Sequence, residues 1–173
     1  MYNFTFTTIG GNTRVHIAKG EDIRHLGELD EKMWTVLSCP TTGLEISSDS
    51  LRLIDTDKDG HIRLDEVVGA ANWLCAVVRN PDILLEEKDE MTLADFNEDN
   101  EEAKQMLGIA RQVAGDKKTI TLAEVQAAVA AIAFALTSCA LPINKHLLFL
   151  FLRKNNITTL NLIKYFVSRS RVN

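Results

Sequence analysis

The twelve residues DTDKDGHIRLDE, Asp55 to Glu66, decide how this chain is read. Carboxylates stand at the first, third and fifth places (Asp55, Asp57, Asp59), a glycine at the sixth (Gly60) and a glutamate at the twelfth (Glu66). Calcium is a hard cation that takes about six to eight oxygen ligands in a flexible shell. So short a segment can wrap it only with oxygens at alternate places and a sharp bend halfway round. Gly60 can take the positive φ of that bend without a Cβ clash. His61 is placed to offer its backbone carbonyl rather than its ring, and Ile62 to point into the core. Glu66 can close the shell with both carboxylate oxygens, which favours calcium over the smaller, octahedral magnesium.

At every ligand position this stretch resembles the EF-hand calcium-binding loop, D-x-[DN]-x-[DN]-G-x₅-E. The flanks agree: Leu51 and Ile54 place apolar residues before the loop, and EVVGAANWL supplies an exiting helix, so the resemblance covers residues 48–79. It implies a metal site of Asp55, Asp57, Asp59, His61 through its carbonyl, Arg63 through water, and Glu66. The competing reading is an acidic surface turn that binds nothing. The ninth place departs from the common pattern. Arg63 cannot ligate a cation, and its charge, with Lys58 nearby, offsets part of the carboxylate charge. The expected dissociation constant is therefore about 10⁻⁶ to 10⁻⁴ M, in the sensor range or weaker.

Such hands usually pair through the short strand at loop position eight, since one alone buries too little to be stable. HIRLDEV (61–67), EMTLADF (90–96) and TITLAEV (119–125) share one pattern, with Ile62, Met91 and Ile120 at the equivalent place. The copies have lost the cage. Leu84, Glu86 and Lys88 replace the three aspartates in one; Val113, Gly115 and Lys117 replace them in the other, where Glu124 remains. Two explanations stand side by side: a duplicated unit, or short strings recurring at helix starts, where threonine is a good cap. On the first, the intact loop pairs with a degenerate hand near 113–124, and neither copy binds calcium.

Working outward, NFTFTTI and RVHIA alternate around a GGN turn and predict a β-hairpin, Asn3–Ile9 with Arg14–Ala18. Helix starts are expected at Asp22 and Asp30, each with an acidic first turn. After the loop, Val67, Val68, Ala71, Leu74, Val77 and Val78 fall at helical spacing, and Asn80-Pro81 stops the run. A further helix, 101–114, carries Met106, Ile109, Ala110 and Val113 on one side and is closed by Gly115. The expected fold is mainly α: an EF-hand-like helix-loop-helix pair with a short N-terminal β-hairpin.

The chain's 173 residues give one domain room for a sizeable core. Its formal net charge of −5 argues against nucleic acid, which needs a basic stripe. All 24 acids lie in residues 1–124, whereas 125–173 carry six bases and no acid. The expected division is an EF-hand-containing domain, 1–138, and a basic, apolar tail, 139–173. The uncharged run VQAAVAAIAFALTSCALPI is close to the length of a membrane span. Its alanines and polar residues make it weakly apolar, so membrane association of the tail is the less favoured alternative. A tail truncated or read out of frame from a longer protein is a third reading. Cys39, Cys75 and Cys139 form no C-x-x-C pair and the start carries no secretory pattern, which places the chain in a reducing cytoplasm. No zinc pair, phosphate loop or nucleophile elbow is present, so a non-enzymatic binding module is expected. Its ion serves as a structural clip or, alternatively, as a sensor or within the N-terminal module of a longer protein or enzyme.

Overall fold

The computed structural model describes residues 2–128 apart from 10, 35, 45–47 and 87. The alternating stretches on either side of residues 10–11 pair as β1 (Thr5–Ile9) and β2 (Asn12–His16), antiparallel, with Ile9 opposite Asn12. Gly11, at φ +80, supplies the tight reversal. A short helix α1 (Gly20–Arg24) follows, with Asp22 in its first turn rather than at its cap. Asp30 caps only a 3₁₀ turn, Glu31–Met33, by accepting from the Lys32 amide at 2.9 Å.

The next strand, β3 (Ser38–Pro40), leads into helix α2 (Ser48–Ile54), the loop, strand β4 (His61–Arg63) and the long helix α3 (Leu64–Val77). Pro81 starts a 3₁₀ turn, Pro81–Leu85, and strand β5 (Glu90–Thr92) follows. Asn100 caps α4 (Glu101–Ala114) by accepting from the Ala103 amide at 3.0 Å, and Gly115 ends it at φ +59. Strand β6 (Thr119–Thr121) runs directly into helix α5, residues 122–128.

Two expectations need correction. The fold is mixed α/β, not mainly α: three antiparallel two-stranded ribbons accompany the helices, which hold about half of the described residues. The extra strands are three residues long and each turns a single side chain inward, too short for a two-residue alternation to show. The expected pairing is also replaced. The strand of the 55–66 loop joins β3, with Ile62 opposite Cys39, while β6 joins β5, with Ile120 opposite Met91. The two degenerate copies thus pair with each other, and the loop pairs with a segment that carries no trace of the motif.

The two ribbons are built alike. Two residues beyond the central pair, the Thr41 amide donates to the Gly60 carbonyl at 3.0 Å, and the Leu93 amide to the Lys118 carbonyl at 2.8 Å. In all three repeat copies an acid four residues past the central apolar residue accepts from the amide at the strand's end. Glu66 takes Arg63 at 3.0 Å, Asp95 takes Thr92 at 2.9 Å and Glu124 takes Thr121 at 2.9 Å. The repeat is therefore a strand running into a capped helical turn.

One core holds the ribbons together. Ile62, Leu51, Ile54, Val67, Phe96 and Met106 are all fully buried, and Cys39, Met91 and Ile120 join them from the other strands. Val78 bridges Phe96, and the Asn97 amide reaches the Val77 carbonyl at 2.9 Å, which fixes α3 to the segment after β5. Among the described residues no helix is long and apolar enough to cross a membrane. The expected boundary at 138 and the whole 139–173 tail lie outside the described residues.

Candidate metal centre

Helix α2 delivers Asp55: its amide still donates to the Leu51 carbonyl at 3.0 Å, so the first loop residue is the last held by the helix. The loop then folds on its own side chains. Asp57 Oδ1 accepts from the Asp59 amide at 3.1 Å, Asp59 Oδ1 from the His61 amide at 2.8 Å, and Asp55 Oδ2 from the Gly60 amide at 3.0 Å. These local turns are what aspartate does well. Gly60 sits at φ +83, and Lys58, a residue with nothing in the sequence to mark it, is left-handed too at φ +60. Thr41 steadies the bend from β3, its hydroxyl also donating to the Gly60 carbonyl at 3.2 Å.

Asp55, Asp57 and Asp59 are brought together, one carboxylate oxygen of each lying within 4.8 Å of the others. Asp55 is buried and the other two are exposed. Glu66 stands apart from that cluster. Its Oε1 accepts from the Thr56 amide at 2.6 Å and the Thr56 hydroxyl at 2.9 Å, while Oε2 caps α3. The carboxylate thus ties the loop's second residue to its ninth, close to a helix N-terminus that favours negative charge. His61 is exposed in β4, in register with Pro40. Arg63, expected to hold a water, instead lays its guanidinium on Asp57 at 3.3 Å and on Asp59. That contact, with the His61 amide, holds the Asp59 carboxyl below its ordinary range and raises the arginine's own pKa.

The three converging aspartates offer oxygen donors alone, a set that could hold a hard cation. One atom bears directly on that fit. Asp55 Oδ1 is buried without a hydrogen-bond partner, although Asp55 itself is 7% exposed. A desolvated carboxylate oxygen left unmet is costly and calls for a partner.

The degenerate loops balance themselves differently. Lys88 bonds Glu86 at 2.8 Å, and Lys117 bonds Glu124, whose other oxygen takes the Thr121 amide and hydroxyl. Lysine stands at the fifth place of each, where the intact loop has Asp59. Lys117 and Thr121 together pull the Glu124 carboxyl down to about 2 from 4.5. A depressed carboxylate adds stability above its unfolded pKa and loses it as pH falls through its folded one. The melting temperature should therefore drop more steeply between pH 4.5 and about 2 in the native protein than in Glu124→Gln. Parallel curves in calorimetry would show that the ion pair contributes nothing.

Neither thiol near the core is set up to react. Cys39, at the centre of its ribbon, and Cys75, on α3, are both pushed up to about 11 by burial. Trp34 is buried, and half-buried Trp73 donates its indole N–H to Glu102 at 2.7 Å, so both belong to packing. Thr41, Thr56 and the β3 strand support the loop without any sequence signal. No protein-family model, no curated protein and no solved structure matches this chain.

Proposed function

We propose that residues 55–66 bind one calcium ion through an EF-hand-type loop and that the ion acts as a structural clip. Asp55, Asp57, Asp59 and Glu66 would hold it by their carboxylates and His61 by its carbonyl. The orphaned, buried Asp55 Oδ1 beside two further aspartates carries the reading. Bound there, calcium supplies positive charge among four carboxylates and a tie between the two ends of the loop. The gain is RT ln(1 + [Ca²⁺]/Kd), about 2.7 kcal/mol at a hundredfold excess over Kd.

A clip is favoured over a sensor by where the methionines lie. Sensor grooves are methionine-rich, yet this chain has only four methionines, scattered at positions 1, 33, 91 and 106. The binding module is non-enzymatic in this reading, and the unpaired Cys39 and Cys75 favour a reducing, cytoplasmic setting.

The test is a calcium titration in a magnesium background, followed by calorimetry and by Trp73 and Trp34 fluorescence. One ion per chain with a Kd of about 10⁻⁶ to 10⁻⁴ M is expected, abolished in Asp55→Ala/Glu66→Gln. A rise in Tm without a large spectral change identifies a clip; a large spectral change identifies a sensor. Absence of binding up to millimolar calcium removes the function altogether.

A further inference from the structure

The ninth loop residue does more than dilute charge. We propose that Arg63 is a built-in, displaceable counter-ion: its guanidinium and the metal compete for Asp57 and Asp59, so that filling the site requires Arg63 to leave. This inference rests on the calcium reading of the same loop.

The geometry supplies the competition. From the end of β4 the guanidinium reaches back to the third and fifth loop residues, contacting Asp57 Oδ2 at 3.3 Å and Asp59 Oδ2. Those are two of the three aspartates that converge within 4.8 Å. Arginine's planar fork suits carboxylates, and here it divides its two terminal nitrogens between them. One cation cannot meet the whole site, however, and Asp55 Oδ1 stays buried without a partner. The loop at 113–124 shows the contrast. Its sequence VAGDKKTITLAE carries two acids and two bases, and Lys117 meets Glu124, the acid retained from the cage. Residues 55–66 carry five acids against Lys58 and Arg63. Charge is thus balanced within one loop and left in surplus in the other.

Release of Arg63 is cheap because its side chain is 48% exposed and an exposed ion pair is worth little in water. A divalent ion gains twice the Coulomb energy of a monovalent one at the same carboxylates. Arg63 therefore acts as a threshold: it screens the cluster against sodium and potassium, weakens calcium, and returns when calcium leaves.

The experiment compares calcium binding to the native protein, Arg63→Gln and Lys58→Gln by calorimetry at one ionic strength. Both variants remove one positive charge from the loop; Arg63 is the one that the structure seats on Asp57 and Asp59. Arg63→Gln should bind about tenfold more tightly than the native protein, and Lys58→Gln less than about threefold more tightly. In the native protein, saturating calcium should speed solvent exchange of the Arg63 side-chain N–H, followed by NMR. Equal gains in the two variants, or an arginine signal indifferent to calcium, would overturn the competition while leaving the calcium site standing. Binding by Arg63→Gln alone would mean that the guanidinium outcompetes calcium in the native chain. If no protein in the series binds, the calcium reading fails and this one with it.

Discussion

Gly20→Ala is expected to destabilise the protein by about 2–3 kcal/mol, whereas Gly108→Ala stabilises it by about 0.5–1 kcal/mol. Both glycines lie in helices, and alanine has the better helix propensity by up to about 1 kcal/mol, so propensity alone predicts a gain at each. Space reverses the sign at Gly20. A Cβ built there would lie 2.5 Å from the Asp82 nitrogen and overlap the Pro81 carbonyl carbon, both backbone atoms that cannot rotate away. The Gly20 amide also donates to Asp82 Oδ1 at 2.6 Å, so separating the segments breaks a bond that spans 62 residues of sequence. Gly108 is exposed on α4 and a Cβ there meets nothing within 4 Å. Urea unfolding of the two variants against the native protein measures both effects. A neutral Gly20→Ala would mean that α1 and the 81–85 turn do not pack against each other in solution.

That contact marks what the sequence could and could not reveal. The loop was legible because its chemistry is local: Asp55, Asp57, Asp59 and Gly60 are read from spacing, and the structure converges the three carboxylates. Helices α3 and α4 were legible because fourteen residues span several turns of apolar period. The ribbons β3–β4 and β5–β6 were not, since one buried residue per three-residue strand leaves no period to detect. Cys39 opposes Ile62 with nothing in SCP to announce it, and Gly20 looks like any helix-start glycine until Pro81 is seen beside it. The repeat at Ile62, Met91 and Ile120 falls on β4, β5 and β6, but its strings could equally recur by chance. The pairing inferred from it, loop with the 113–124 copy, is not the one formed. Equal motifs imply equal local structure; pairing is settled by the core.

The second large effect is expected at Glu66, and it should depend on calcium. In chelator, Glu66→Ala removes acceptors for the Thr56 amide, the Thr56 hydroxyl and the Arg63 amide. Loss of a buried cap with its partners costs about 1–3 kcal/mol, part of it the favourable placement of an acid at a helix N-terminus. In calcium at a hundredfold excess over the native Kd, a variant unable to close the shell also forgoes about 2.7 kcal/mol of binding-linked stability. The difference from the native protein should therefore widen to about 4–6 kcal/mol when calcium replaces chelator. Glu66→Gln separates the two roles in part. Its one amide oxygen can still accept from the Arg63 amide, while its NH2 cannot accept from Thr56 and a neutral side chain holds the ion poorly. It should show part of the alanine loss in chelator and, in calcium, nearly all of the binding-linked loss besides. Denaturant midpoints measured in both conditions decide the matter, since the cap acts in each and the ion in only one. A difference unmoved by calcium would make Glu66 the cap of α3 and the anchor of Thr56, and nothing more.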